Sequence, residues 1–184
     1  MYASPRALLL SLLCAIGCDA RPETSAAEPR LGAQVDIDAA IRSAEARTPG
    51  VTLAAELVGR DDGRRWEVVR WADGAARRVT VDPGTGEVLA ITELERRDLG
   101  QRAAIYEDAT LDAHGAIAAA LRHVDGAAIE FEVEGDAFEV EIVTDEGVRE
   151  VVLAKDGALA AIEDEDEDDD DEDEDDDDDE DEDD

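Results

Sequence analysis

Side chains able to do chemistry are few in this chain, and their spacing does not favour catalysis. The two histidines, His114 and His123, lie nine residues apart in one stretch of helical periodicity. At about 100° per residue they fall half a turn out of phase, on opposite faces. No joint metal site or acid–base pair follows, and each is read as a surface or partly buried histidine. The two cysteines, Cys14 and Cys18, precede the part of the chain that can fold, and no serine follows Ser43. No arrangement of Ser, Cys or His therefore makes a nucleophile. Gly84-Thr85-Gly86 lacks the Gly-Lys of a phosphate loop and joins two strand-like stretches, so it reads as a β-turn. Paired carboxylates are everywhere, which makes any single pair uninformative. The chain is read as non-catalytic and without a cofactor.

Carboxylates dominate everything else. The 184 residues carry 52 Asp and Glu against 17 Lys and Arg, a net charge of -35. The unbroken acidic run from Glu163 to Asp184 supplies 22 of those acids, leaving 30 against the 17 basic residues. So acidic a body has no electrostatic footprint for nucleic acid and repels anionic lipid headgroups. Divalent cations, basic peptides or plain solubility fit the charge better. The run has no apolar residue and adjacent like charges, so it reads as a disordered tail over 163–184. Its carboxylates are the hard ligands that Ca²⁺ prefers. Without a rigid loop, binding there should be weak and non-selective, by residues such as Glu163, Asp164, Asp168, Asp171, Asp175 and Asp184. A purely solubilising role is the alternative.

At the other end, Arg6 precedes an apolar run from Ala7 to Ile16. The run is too short for a hydrocarbon core of about 30 Å and has the layout of a secretory signal peptide. It ends in Ala15-Ile16-Gly17-Cys18, which resembles the bacterial lipobox although Ala15 replaces the commoner leucine. That resemblance implies a signal peptide over 1–17 and a lipidated Cys18 at the mature N-terminus. Acyl chains contribute about 0.8 kcal/mol per buried CH₂, enough for two or more to hold an otherwise very soluble chain at a membrane. Asp19 resembles the inner-membrane retention signal of enteric bacteria. Residues 18–34, with Pro22, Pro29 and several charges, form a flexible tether.

Between these ends lie about 130 residues, enough for one ordinary domain or two very small ones. Aromatics make up only 3% of the chain, so the core must rest on Val, Ile, Leu and Ala. Ile37, Ala40, Ile41 and Ala44 recur at helical spacing, with Asp36 or Asp38 as cap and Pro49-Gly50 as stop. Strand-like stretches follow at 51–58, 65–71, 76–81 and 87–91, separated by turn residues. The order then recurs. Ala113, Ala116, Ile117, Ala120, Leu121 and Val124 form a helical face after Thr110 or Asp112. Ile129, Phe131 and Val133 alternate with Glu130, Glu132 and Glu134, and Phe138, Val140 and Ile142 with Glu139 and Glu141. Extended stretches at 148–153 and 158–162 complete the set. The expected fold is α+β, with two small units that each pack one helix on a three- to four-stranded antiparallel meander. Asp38 should match Asp112 and Trp66 should match Phe138, an offset that reads as an internal duplication. Residues 93–109, with Leu94, Arg96, Arg97, Arg102 and Glu107 around Gly100, read as an exposed helical linker. Trp66, Trp71 and Phe138 are assigned to the core, with Trp66 and Trp71 in opposite phase so that one faces outward. The glutamates of 130–141 read as the solvated face of a hairpin, one a cation or basic partner could relieve.

The helix written DAAIRSAEARTPG, its meander, and RRVTVDPGTGEVLAI together resemble a PepSY domain over 35–92. Val81, Asp82, Pro83, Thr85, Gly86, Glu87, Val88 and Leu89 carry the last part of that resemblance. Over 110–162 only the pattern persists, since VVLAKDGALAAI lacks the Thr-Gly pair. The family is similar to propeptides of secreted metallopeptidases. The resemblance implies a regulatory or peptidase-inhibiting module of the cell envelope without catalysis of its own. The sequence thus predicts an exported, lipid-anchored protein on the inner or outer membrane that binds an unidentified protein or basic peptide. The alternative is a low-affinity Ca²⁺ buffer working through the acidic tail.

Overall fold

The computed structural model describes residues 32–60, 63–95 and 99–164. Among them, helix α1 (Ile37–Glu45) leads into strands β1 (Val51–Val58), β2 (Arg65–Ala72), β3 (Ala75–Val81) and β4 (Val88–Leu94). A short helix α2 (Leu99–Ala103) and a 3₁₀ turn (Ala104–Glu107) follow, then α3 (Ala113–Ala120). Strands β5 (Ala127–Glu134), β6 (Ala137–Val143), β7 (Val148–Ala154) and β8 (Leu159–Asp164) finish the order.

Local chemistry sets the ends of these elements. The Asp36 carboxylate caps α1 by accepting from Ala39 N at 2.7 Å, and Asp112 caps α3 by accepting from Gly115 N at 2.8 Å. The cap of α1 is therefore Asp36 rather than Asp38. Gly50 enters β1 at φ 108°, where a Cβ would lie 2.0 Å from the Trp71 carbonyl oxygen. Gly126 enters β5 under a similar constraint, with a Cβ position 2.3 Å from the Val143 carbonyl oxygen.

All eight strands form one antiparallel sheet in the order β4-β3-β2-β1-β5-β6-β7-β8. The α+β class and both meanders are as expected, but the two halves do not form separate sheets. They join edge to edge through β1 and β5, which pair over Ala54↔Glu132, Ala55↔Phe131 and Glu56↔Glu130. Trp66 opposes Leu57 and Val81, and Phe138 opposes Val133 and Leu153, so these two hold equivalent places in the two halves. Both α1 and α3 lie on one sheet face and share one core with Trp66, Phe131 and Phe138, each fully buried. The helix faces are largely alanine (Ala40, Ala44, Ala116, Ala120), which lets the helix backbones approach the sheet closely. Phe131 and Phe138 stack at 5.9 Å.

The register shifts at four places along the ladders, at Thr52/Ala54, Thr80/Val81, Ala128/Glu130 and Val152/Leu153. Because of the shift between Ala128 and Glu130, Ile129 is half-buried and Ala128 takes the core position expected of it. The segment after β4 is also not the exposed linker that its charges imply. Leu94 belongs to β4, Leu99 is buried with Leu53 and Ala76 on the outer face, and Ile105 is buried in the helix-side core. Gly100 lies against Trp71, whose ring would meet a Cβ there at 3.2 Å. Trp71 is half-buried on this outer face, opposite in phase to Trp66. Nor does the acidic tail begin at Glu163: Glu163 and Asp164 close β8, pairing with Glu150 and Arg149.

Because β1 and β5 join the halves, the sheet should unfold as one unit. Phe131→Ala in the second half should cost about 3–5 kcal/mol. Its urea midpoint by tryptophan fluorescence, which reports only on the first half through Trp66 and Trp71, should fall together with the far-ultraviolet dichroism midpoint. A fluorescence midpoint that stays put would show that the halves unfold independently.

Candidate functional site

Three groups of polar residues stand out once the sheet is assembled. The first bridges the two helices. Arg70, on the helix face of β2 and 3% exposed, donates to the carbonyl oxygens of Thr48 (3.3 Å) and Gly50 and to the Thr52 hydroxyl. It also pairs with Glu45 Oε1 at 2.9 Å. Glu45 Oε2 in turn meets His114 Nε2 at 3.1 Å, and His114 Nδ1 meets Asp38, which pairs with Arg42. A chain of charges thus runs from the sheet through α1 to α3. Burial tends to lower the His114 pKa, but hydrogen bonds and charge from Asp38 and Glu45 outweigh it and hold the value above 6.5. The sequence put His114 and His123 on opposite faces of one helix, but α3 ends at Ala120 and His123 lies in the turn after it; the partners of His114 come from a different helix. The hydroxyl of Thr48, beside this network, is the one buried side-chain polar atom without a partner among the described residues.

The second group closes the seam between the halves. Arg102 donates to the Val133 carbonyl oxygen and pairs with Glu132, and the Tyr106 hydroxyl donates to the Thr52 carbonyl oxygen at 2.5 Å. Val133 and Thr52 lie just beyond the three paired residues of β1 and β5, where the ladder stops. The segment after β4 therefore supplies side-chain donors to backbone acceptors there. Burial, with the nearby Asp112, pushes the Tyr106 phenol far above its usual pKa, so it stays a donor.

The third group is the outer face of the sheet. Glu67, Glu56, Glu130, Glu141, Glu150 and Glu163 stand in register across six adjacent strands, from β2 to β8. Neighbouring strands are only about 4.8 Å apart, and like charges directly opposite are destabilising. Arg65 and Arg78 pair with Glu67 at 2.7 and 3.0 Å, and Arg102 pairs with Glu132. Burial and the carboxylates of Glu150, Glu134 and Glu132 raise the Glu139 pKa. The hairpin face read from the sequence is thus part of a wider acidic surface.

The turn after β3 resolves the most motif-like stretch. Asp82 accepts from Gly84 N (2.9 Å), Thr85 N (2.8 Å) and the Thr85 hydroxyl (3.0 Å), bonds that lower its pKa. The Pro83 carbonyl oxygen accepts from Gln34 N and Val35 N, tying the entry of α1 to this turn. Gly86 closes the turn at φ 74°. Asp82, Thr85 and Gly86 therefore shape a hairpin and leave no phosphate cradle. Residues 34–92, which contain it, match the family model described as Peptidase propeptide and YPEB domain, PepSY. Over this stretch the chain is similar to a PepSY domain. The second half lies outside that match, and its β7–β8 turn keeps only one of the bonds, Ala158 N to Asp156 at 3.0 Å.

A crystal structure of a protein from Clostridium difficile 630, provisionally described as a lipoprotein, is similar at 15% identity and a TM-score of 0.45. The similarity covers 71% of this chain and 93% of that one. No curated protein matches the sequence significantly.

Of the residues singled out from sequence, Cys18, Asp168, Asp171, Asp175 and Asp184 lie outside the described residues, as do the signal peptide and most of the tether. Glu163 and Asp164 are strand residues, and Asp164 pairs with Arg149 at 2.9 Å. Among the described residues, no three His, Cys, Asp or Glu are grouped to hold a metal ion. No described helix is long and apolar enough to cross a membrane.

The bridge between the helices predicts a pH dependence. A histidine whose folded pKa lies above its unfolded value stabilises fully below about pH 6.5, and that contribution is lost as pH rises through the folded pKa. The thermal midpoint of the wild-type chain should therefore fall relative to that of His114→Gln between pH 6 and 8. Parallel midpoint curves for the two proteins would show that the bridge contributes nothing.

Proposed function

We propose that this chain is a lipid-anchored, non-catalytic module of the bacterial cell envelope that binds a protein partner and regulates it. A peptidase is the first partner class to try. The observation that carries this reading is the match of 34–92 to the PepSY family, whose description names peptidase propeptides. The engagement of the polar side chains supports it. His114 and Arg70 bridge the helices to the sheet, Tyr106 and Arg102 hold the seam, and Asp82 shapes a turn. Anchoring through Cys18 accords with the apolar run and small residues before it. The folded part would then stand off the membrane on the tether, with its acidic charge keeping it from anionic headgroups.

Two measurements test this reading together. The purified chain, mixed with metallopeptidases secreted by the same organism, should form a stoichiometric complex on size exclusion and lower peptidase turnover. In cells, Cys18→Ser should move the protein out of the membrane fraction and abolish labelling by a palmitate analogue. Absence of any complex would end the regulatory reading, and continued labelling of Cys18→Ser would end the anchor.

A second reading, weak binding of divalent cations, draws on the outer row of glutamates, which runs to Glu163 where the acidic stretch begins. Ca²⁺ at millimolar concentration should then bind at several equivalent weak sites. Removing residues 165–184 should abolish most of that capacity in calorimetry. Unchanged stoichiometry after truncation would place the sites on the sheet and leave the tail a solubilising role.

A further inference from the structure

The two outermost strands of the sheet are not alike. Each exposes two large apolar side chains, Leu89 (56%) and Ile91 (43%) on β4, and Leu159 (42%) and Ile162 (40%) on β8. Strand β8 ends in Glu163 and Asp164, and the sequence beyond is all carboxylate. Charges at an edge discourage strand addition. Strand β4 carries less charge: Val88, Leu89, Ala90, Ile91 and Thr92 are uncharged, residues 89–93 are all exposed, and its one charge, Glu93, lies near its end. Among the described residues only β3 pairs with it. At its far end Trp71, Leu94, Glu93 and Glu95 line a notch, with Glu93 lying opposite Arg77.

We infer that the β4 edge is a docking site for an extended, cationic segment of the partner protein, which adds to the sheet as a ninth strand. The inference rests on the binding-module reading above and names its surface. Backbone hydrogen bonds along β4 would supply affinity, and aliphatic side chains at alternate positions would cover Leu89 and Ile91. A Lys or Arg at the segment's end would enter the notch, where the Trp71 ring and two carboxylates suit a cation. The net charge of -35 draws such a segment in and repels an acidic one. The same charge argues against a second copy. An antiparallel pairing of two β4 strands that sets Leu89 against Ile91 also sets Glu87 against Glu93 at both ends, and like charges directly opposite are unfavourable.

The test uses the full chain and a synthetic peptide, Lys-Val-Thr-Val-Thr-Val-Lys, with binding read by fluorescence anisotropy. Ile91→Lys, a change at an exposed position, should weaken binding by at least about tenfold, the expected effect of an edge guard. Leu159→Lys on the opposite edge should leave binding unchanged. Replacing the peptide's lysines by glutamate should also abolish binding, and the bound peptide should slow amide exchange in β4. No binding of the lysine peptide, equal losses in the two variants, or concentration-dependent dimerisation that Ile91→Lys removes would each overturn the site. If Ile91→Lys loses the peptide but still forms the peptidase complex, the edge is not where that partner docks and the site is overturned, while the regulatory reading stands. A wild-type chain that binds the peptide but no envelope protein reverses that outcome: the edge stands and the regulatory reading falls.

Discussion

Three residue pairs between β1 and β5 hold this architecture together. Each meander contributes four strands, but neither covers its own first strand. Unpaired, β1 and β5 would each present a row of backbone donors and acceptors to solvent. Pairing them removes two edges at once and brings both helices onto one face. It also lets Phe131 and Phe138 of one half share a core with Trp66 of the other. A seam this short needs help at its end, which Arg102 and Tyr106 supply from the connecting segment. The connection therefore has a structural duty that its charged sequence conceals.

That union also decides where charge can go. With the main core of both halves on the helix side, the glutamates of six strands align on the outer face. Each strand alternates in the ordinary way for a half-buried sheet. Only the joining of the halves extends the row across β1 and β5. Arg65 and Arg78 pair with Glu67 at the first-half end of the row, and Arg102 pairs with Glu132 of β5 beside it.

Much of this was legible in the sequence, and the failures share a cause. Strand positions followed from period-two alternation, and the helices from Ile37, Ala40, Ile41, Ala44 and their counterparts. The turn at Asp82-Pro83-Gly84-Thr85-Gly86 was readable because its geometry is local. The β1–β5 pairing joins residues far apart in the chain and leaves no periodic trace in either strand. The bulge at Ile129 breaks a pattern that looks regular on paper. Asp38 looked as good a cap as Asp36 because its real partner, His114, lies on another helix. Burial of Leu99 and Ile105 was hidden by the arginines around them. Of the candidate sites, the polar bridge was invisible for the same reason, while Cys18 rests on a motif outside the described residues.

The PepSY match stops at residue 92, and β1 lies inside it with its partner strand outside. A fragment cut to the family boundary would keep its helix, its meander and its sealed turn, yet lose the neighbour that covers β1. It would also lose Tyr106 and Arg102, and with them the closure of the seam. What a family model matches as one domain is here half of one eight-stranded sheet. A chain made of that half alone would offer its bare strand to the nearest copy of itself.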